Sequence, residues 1–401
     1  MAKHVLVITQ YFYPEQFRIN DICFELVKRG YKVTVLTGIP NYPEGKFFNG
    51  YGLRKKRRET INGVDVIRIP IISRGKSALR LVANYYSFVF SGWFWNLFTK
   101  IKADYVFTFE VSPLLQAKIG VWYANKHKVP CYLYAQDLWP DNLEVVGGIK
   151  NKLVLNHYGK MADKLYNRYD KIFAPSPSFV EEIKRRVKGN EDKVVYLPQY
   201  AEDYYEPLLK KPIKDIPDDD RFKIIFTGNI GQAQGLEILP KSAKALKEGG
   251  VGNVLFVMVG GGRNEEFLKA EIRAAGVSDM FLFIPRKPSE EIPELLSVCD
   301  AAFLSFMNNS LFEKTIPAKL QSYMACGMPI IASANGETKR IIEESVSGLC
   351  TDIGDEKALT ESILKMMRDE NISRYGANAK AYCNKNFNKE GIIKILSEMF
   401  N

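Results

Sequence analysis

FEKTIPAKLQSYMACGMPIIASANGE, residues 312–337, holds a loop, a helix and a strand in that order. Ile316 and Pro317 lead into the helix, and a proline suits a first helical turn because its missing N–H has no partner there. The helix carries Lys319, Ser322 and Tyr323. It stops at Gly327, a residue type that takes the left-handed conformation after a helix at little steric cost. Residues 329–334, PIIASA, are an apolar run of buried-strand type, and NGE is the turn that leaves it. A loop feeding a helix N-terminus presents free N–H groups and a partial positive charge, the setting in which a phosphate binds. Lys319 would add a full charge one turn in. The same pattern also serves as an ordinary helix–strand unit of an α/β core, and the rest of the chain has to separate the two.

The segments before this stretch repeat its grammar. KIIFTG is a strand, NIGQAQGLEIL a glycine-rich turn into a helix, and NVLFVMVGGG a strand whose glycines open the next helix. MFLFIPR and CDAAFLSF are further strands. The first half reads the same way: HVLVITQ, a helix over Asn20 to Arg29, then KVTVLTG, GVDVIRIPI, DYVFTFE, PCYLYAQ, KIFAPS and VVYLPQY. Strands alternating with helices predict parallel sheets with right-handed crossovers. Residues 199–220 are polar and proline-rich without periodicity, which reads as a linker. The expected division is 1–198, a linker 199–220, 221–378, and a C-terminal helix in 379–401 that packs back on the first domain.

Neither glycine-rich turn is a dinucleotide fingerprint. The turn after the first strand lacks GxGxxG, and in VGGGRNEEF the third glycine position is Glu265. Glycines at such turns can still bring backbone close to a nucleotide.

With 401 residues, 46% hydrophobic and 25% charged, the chain is long enough for two ordinary domains. Its formal net charge of +10 favours an anionic partner. No zinc-finger spacing, RNP-like aromatic box or basic zipper is present, so nucleic acid ranks below a membrane surface and phosphorylated substrates. The six cysteines include no CxxC and read as reduced core residues of a cytosolic protein, and the three histidines are scattered. AKHVLVITQ enters a strand at once, so no signal peptide is expected.

In a doubly wound sheet the loops at the C-terminal ends of the strands hold the ligand. Tyr13, Pro14, Glu15 and Arg18 follow the first strand, and Arg18 either faces a substrate or is a solvated helix-start residue. IPNYPEGKFFNGYG follows the second strand, and its Asn41 and Tyr42 suit a sugar. DLWPDN follows PCYLYAQ. Asp137 stands where α/β enzymes place a chemical carboxylate, whereas Asp141 looks more like a helix cap. The basic run Arg54 to Glu59 is expected on a solvated face, with a possible part in a membrane patch. Leu81 to Phe98 is apolar and aromatic between Arg74, Lys76, Arg80 and Lys100, Lys102. At roughly 18 residues it is barely long enough to span a bilayer, and Asn84, Ser87, Ser91 and Asn96 argue against spanning. It is therefore expected either to lie on a bilayer surface or to be a core helix.

Taken in order, YFYPEQFRINDI, LTGIPNYPEGKFFNGYG, DLWPD, FTGNIGQAQGLE, VGGG and TIPAKLQSYMACGMPIIASANGE resemble the GT-B glycosyltransferases of family 4. Within them they are most similar to the WbuB-type N-acetyl-L-fucosamine transferases of O-antigen and capsule assembly. The resemblance covers nearly the whole chain. It implies an α/β GT-B fold, two Rossmann-like doubly wound domains facing across a cleft. It implies a retaining transferase that takes a UDP-sugar in the second domain and a polyprenyl-diphosphate-linked sugar acceptor in the first. The enzyme would sit as a peripheral protein on an anionic membrane surface at the cytoplasmic side.

The implied donor set is Gly228, Asn229, Gly231, Gln234, Gly261, Arg263, Arg286, Lys314, Lys319, Ser322 and Glu337. The implied acceptor set is Arg18, Asn41, Tyr42 and Trp139. Asp137 and Lys319 would be the catalytic pair. Much of the family has an Arg and a Lys where this chain has Asn229 and Gln234, and two glutamates where it has Lys314 and Ser322. The phosphate neutralisers have thus moved, onto Lys319, Lys314, the helix N-terminus and Arg263. No DxD motif is present, so no metal or other cofactor is expected. Rival readings are another GT-B enzyme, such as a UDP-sugar 2-epimerase or a phosphorylase, or a nucleotide-sugar-binding scaffold that has lost its activity.

Overall fold

In the computed structural model the described residues are 2–145 and 147–400. The chain divides into two compact units, Met1–Leu197 with Glu390–Asn401, and Pro198–Lys389.

The first unit contains, in order, β1 (His4–Ile8), α1 (Arg18–Lys28), β2 (Lys32–Thr37), β3 (Arg58–Ile61), β4 (Val64–Arg68), α2 (Ala78–Phe98), β5 (Tyr105–Glu110), α3 (Ala117–His127), β6 (Cys131–Ala135), α4 (Asp141–Val145), α5 (Lys152–Tyr166), β7 (Lys171–Ala174), α6 (Pro177–Lys184) and β8 (Val194–Tyr196). The strands form one sheet in the order β3-β4-β2-β1-β5-β6-β7-β8. Val5 to Ile8 of β1 are fully buried, as a central strand covered on both faces by helices requires. The winding reverses on either side of β1, which pairs with β2 and β5.

The antiparallel β3–β4 hairpin was not expected. Arg54, Lys55 and Lys56 are exposed as the sequence predicts, but Arg58 and Glu59 enter the edge strand. Glu59 pairs at 2.5 Å with Arg68, which is itself 1% exposed. A buried guanidinium needs such a carboxylate, and that pairing cannot be read from a local charge run.

The helix α2 buries one narrow face, with Phe88 and Val89 on it, and leaves most of its apolar surface outside. Asn84 and Asn96 are buried, while Leu79, Val82, Tyr86, Phe90, Trp93, Phe94, Leu97 and Phe98 are exposed. Their spacing of three and four residues makes one continuous stripe. Asn84, Ser87 and Ser91 find partners inside. Asn84 donates to the Ile72 carbonyl at 2.6 Å and accepts from Gln10, Ser87 accepts from the Ile72 N–H, and Ser91 donates to the Pro70 carbonyl. Gly92 lets the helix approach α3: a Cβ there would lie 2.3 Å from Ile119 Cδ1. The core-helix alternative is therefore corrected. No helix among the described residues is long and apolar enough to cross a membrane.

The second unit contains β9 (Phe222–Asn229), α7 (Ile238–Glu248), β10 (Val254–Gly261), α8 (Glu265–Ala274), β11 (Phe281–Ile284), α9 (Ile292–Ser297), β12 (Ala301–Ser305), α10 (Ser310–Glu313), α11 (Ala318–Ala325), β13 (Ile330–Ser333), α12 (Gly336–Ser345), β14 (Gly348–Thr351), α13 (Glu356–Met367) and α14 (Ser373–Asn386). Its strands lie parallel in the order β11-β10-β9-β12-β13-β14, and the order reverses between β9 and β12. Both faces are covered. Val254, Phe256 and Met258 of β10 join one core, and Leu255, Val257 and Val259 the other.

Two boundary expectations need correction. Residues 199–220 hold no helix or strand, but they are no free linker. Ile216 is 3% exposed, and Tyr205 and Ile213 pack with it onto one core of the second unit. Burial of scattered apolar side chains between the prolines holds the segment there. The final helix expected in 379–401 is two. α14 belongs to the second unit, and α15 (Lys389–Glu398) begins as the chain re-enters the first. Phe400 is fully buried there against the rings of Tyr31, Tyr105, Phe107 and Tyr132. Asn401, the end of that expected range, lies outside the described residues.

Candidate active site

In the second unit the C-terminal ends of β9 and β10 are pressed together. Pairing continues through Gly260 opposite Gly228 and Gly261 opposite Asn229. Gly260 has φ +139°, and a Cβ there would stand 1.9 Å from the Gly228 carbonyl oxygen. Only glycine fits that approach, which leaves bare backbone at the sheet's ligand edge. Asn229 and Gly228 are exposed at this edge, and Gly231 and Gln234 follow in the loop. Arg263 and Arg286, just past β10 and β11, are exposed too.

The opening stretch of the sequence analysis supplies the other wall. Pro317 caps α11 with extended φ and ψ instead of entering its first turn, so the helix begins one residue later than expected. Gly327, at φ +67°, closes the helix as the sequence predicts. The Tyr323 hydroxyl meets the Thr227 N–H at 2.9 Å and fixes α11 to β9. Lys319 is four residues earlier on the same face. Its ammonium lies 4.0 Å from the Phe226 ring centroid and donates to Gln234 Oε1 at 2.6 Å. A Cβ on Gly228 would lie 3.5 Å from the same nitrogen. No carboxylate pairs with Lys319 among the described residues, and burial depresses its pKa to about 7. The side chain keeps part of its surface open. A desolvated ammonium without a counter-ion, beside free backbone at a glycine turn, is a site made for an anion.

The remaining donor-set residues differ in placement. Lys314 caps α10. Ser322 is buried and donates to the Ala318 carbonyl, so its hydroxyl is engaged within the helix. Glu337 is not in an exposed turn. It is 5% exposed on the first turn of α12, and its carboxylate accepts from Arg340 at 2.8 and 3.1 Å. Gly336 fits at that helix start because a Cβ would meet the Glu313 carbonyl at 2.0 Å, which places Lys314 next to the α12 N-terminus.

In the first unit the loops after β1, β2 and β6 carry the expected acceptor residues. Glu15 ties two of them together, accepting from the N–H groups of Asn41 at 2.8 Å and Tyr42 at 2.7 Å. Burial raises its pKa to about 7, against the pull of those N–H groups. Asn41 is fully buried and shapes the loop: it donates to the Ile39 carbonyl and accepts from the Arg74 N–H. Tyr42 is half-open, packed with Tyr11 and Phe17 and faced by the Arg74 guanidinium at 5.2 Å. Arg18 is half-buried at the start of α1. Trp139 is 4% exposed and packs on Tyr158, so it supports the loop from below instead of offering its face.

Asp137 accepts from the Ser112 N–H at 2.5 Å. Burial raises its pKa, and the Ser112 hydrogen bonds oppose the rise. Burial raises the pKa of Tyr85 on α2, the Arg74 guanidinium opposes the rise, and Asp137 and Tyr42 add to it. Tyr85, Arg74, Glu15 and the buried Glu110 were not assigned roles from sequence. The only signal was their position on an apolar helix or beside a strand end.

Two doubly wound, mainly parallel sheets with their glycine, lysine and carboxylate groups at the C-terminal strand ends define the GT-B type of glycosyltransferase. Residues 16–199 match the glycosyl transferase 4-like domain, and residues 210–383 match the family of glycosyl transferases group 1. The chain belongs to that group 1 family and is a glycosyltransferase. It is 23% identical to the putative colanic acid biosynthesis glycosyl transferase WcaI of Escherichia coli over 97% of this chain and 98% of that one. An uncharacterized glycosyltransferase of Methanocaldococcus jannaschii is 22% identical over 84% of each chain. Among solved structures, sucrose-phosphate synthase from Thermosynechococcus elongatus superposes with a TM-score of 0.77 at 15% identity, covering 99% of this chain and 98% of that one. HepE of Anabaena in complex with UDP and glucose gives 0.71 at 15%, covering 99% of each.

Proposed function

We propose that this glycosyltransferase moves a sugar, with retention, from a UDP-sugar to a polyprenyl-diphosphate-linked saccharide at an anionic membrane surface on the cytoplasmic side. Lys319 carries the reading. A buried ammonium facing Gln234 and the Gly228 edge, with no carboxylate of its own, awaits a diphosphate. Arg263, Arg286, Lys314 and backbone N–H groups supply further positive charge at the same strand ends. Leaving-group charge is then met without a metal. Front-face retention lets the departing phosphate oxygen take the acceptor proton while Asp137 orients the acceptor hydroxyl. UDP as the carrier is supported by the UDP complex of HepE. N-acetyl-L-fucosamine as the sugar, in O-antigen or capsule assembly, rests on the sequence resemblance and on the colanic acid relative. Release of UDP from a panel of UDP-sugars, with lipid-linked acceptor present, tests this directly. The N-acetyl-L-fucosamine donor should be turned over fastest. A chain that binds neither UDP nor any UDP-sugar in calorimetry would be a scaffold instead.

The exposed stripe of α2 supports the membrane part. Lys76 and Arg80 before it and Lys100 and Lys102 after it are exposed, the arrangement of a helix that lies in an anionic interface. Binding to vesicles containing phosphatidylglycerol is expected to weaken as salt rises. The F94E/F98E double variant should lower the partition coefficient by about ten-fold or more, from the lost burial of two aromatic rings. Equal binding to neutral and anionic vesicles, or none, would favour a soluble acceptor.

A further inference from the structure

At the ligand edge of the first unit two carboxyl groups stand at neighbouring strand ends. Glu110 ends β5 and Asp137 lies two residues past β6. The strands pair at Glu110 and Ala135, and the Gln136 N–H donates to the Glu110 backbone carbonyl. Asp137 is partly open and held by Ser112. Glu110 is sealed at 0% exposure, and neither of its carboxyl oxygens has a hydrogen-bond partner among the described residues. The groups that face it are Asp137 from the loop after β6, and Tyr166 and Tyr169 from the end of α5 and the residues after it. The Tyr169 hydroxyl is engaged with Thr108 and the Ala117 carbonyl, and the buried Tyr166 hydroxyl lies beside the Trp139 backbone. Arg186 and Asp141 lie beyond Tyr166 and act on it instead.

We propose that Glu110 and Asp137 form a carboxyl pair that holds one proton, with the sealed Glu110 as its neutral member. Glu110 is a positioning residue, and it leaves the negative charge on Asp137, where an acceptor hydroxyl can meet it. Two neighbouring carboxylates cannot both ionise without mutual repulsion, and the member sealed from solvent keeps the proton because burial penalises its charge more. Burial first, and then the charge of Asp137, hold Glu110 well above the ordinary carboxylate range, against the nearby N–H groups of Asp137 and Gln136. An apolar side chain would fill the same place without an unpaired polar group, so retention of a carboxyl there needs a role. The inference deepens the proposed transfer, on which only its kinetic readout depends.

Infrared spectroscopy of the full chain tests it without any substrate. Glu15, whose pKa burial raises to about 7, also carries a proton in part of the chains at neutral pH. The signal is therefore the wild-type minus E110Q difference, which should hold a protonated C=O stretch that is insensitive to added UDP and disappears on alkaline titration. If E110Q does not fold, an E15Q chain leaves the Glu110 band to be read alone. Folding that keeps this proton also makes stability fall as pH rises above the usual glutamate range, because the folded chain then binds more protons than the unfolded one. That fall should be smaller in E110Q. In turnover, E110Q should move the alkaline limb of kcat upward by about one pH unit or more, with the donor KM unchanged. Absence of a protonated band from the wild-type minus E110Q difference would overturn the pairing whatever the transferase activity. An unmoved alkaline limb in an active E110Q would overturn its positioning role.

Discussion

Lys319→Ala should raise the dissociation constant for UDP ten-fold or more, measured by calorimetry on the whole chain. A charge-assisted hydrogen bond to a phosphate contributes on the order of 1.5–3 kcal/mol, and ten-fold corresponds to about 1.4 kcal/mol. The effect should sit at the upper end because Lys319 has no carboxylate to release when the phosphate arrives. Gln234 Oε1, its present partner, is neutral. Lys314→Ala should weaken binding in the same direction. Unchanged binding in both would remove the diphosphate from this edge.

The same lysine fixes a pH signature. Burial holds its pKa at about 7, below the ordinary lysine value of 10.5. Between those values the unfolded chain binds the proton and the folded chain does not. Lys319 therefore makes the ligand-free protein more stable as pH rises through that window. A bound diphosphate reverses the preference and draws the proton back. UDP binding above neutral pH should then take up a proton, seen as a binding enthalpy that depends on the buffer's ionisation heat. Affinity should fall as pH rises through 7. The K319A variant should lose both behaviours, which separates a phosphate-facing lysine from one that merely packs on Phe226.

What could be read in the sequence was what is local. HVLVITQ, KVTVLTG and the run from Pro317 to Gly327 carry their periodicity and stop signals within a few residues, and their elements appear within a residue or two of the expected bounds. What could not be read depends on partners far along the chain. Arg68 is buried because Glu59 reaches it across a hairpin whose first strand begins inside what looked like a basic run. Glu15 is a latch because the N–H groups of Asn41 and Tyr42, 26 and 27 residues on, converge on it. NGE read only as the turn that leaves a strand because nothing local shows that Gly336 starts a helix against Glu313. The apolar run of α2 admits two environments by composition, and only the partners of Asn84, Ser87 and Ser91 decide which face turns outward. Among the carboxylates, Asp137 was visible because it follows a buried strand and precedes a proline turn. Glu110 was not, because a glutamate at the end of an apolar strand looks like the strand's solvated tip.

Asp137→Asn should lower turnover by about two to four orders of magnitude, the range expected when a positioned acid–base group is lost. Donor binding should be essentially unchanged, because every donor group belongs to the second unit. The substitution is close to isosteric. The asparagine carbonyl oxygen can still accept the Ser112 N–H, so the loop after β6 keeps its anchor, and the loss reports charge more than shape. Asn142, which donates to the Ser112 hydroxyl at 2.6 Å, holds the same loop from the other side and is untouched by the change. Burial raises the Asp137 pKa above its ordinary value, so wild-type turnover should fall on the acid side as this carboxylate takes up a proton, at a pH above that of a free aspartate. D137N should lack that acid limb. If the variant instead turns over near the wild-type rate, Asp137 serves only as the hook for Ser112 and the acceptor hydroxyl is oriented elsewhere. Of the groups that act on Tyr85, Arg74 would then be the next to replace, since its guanidinium already faces Tyr42 and the Tyr11 hydroxyl.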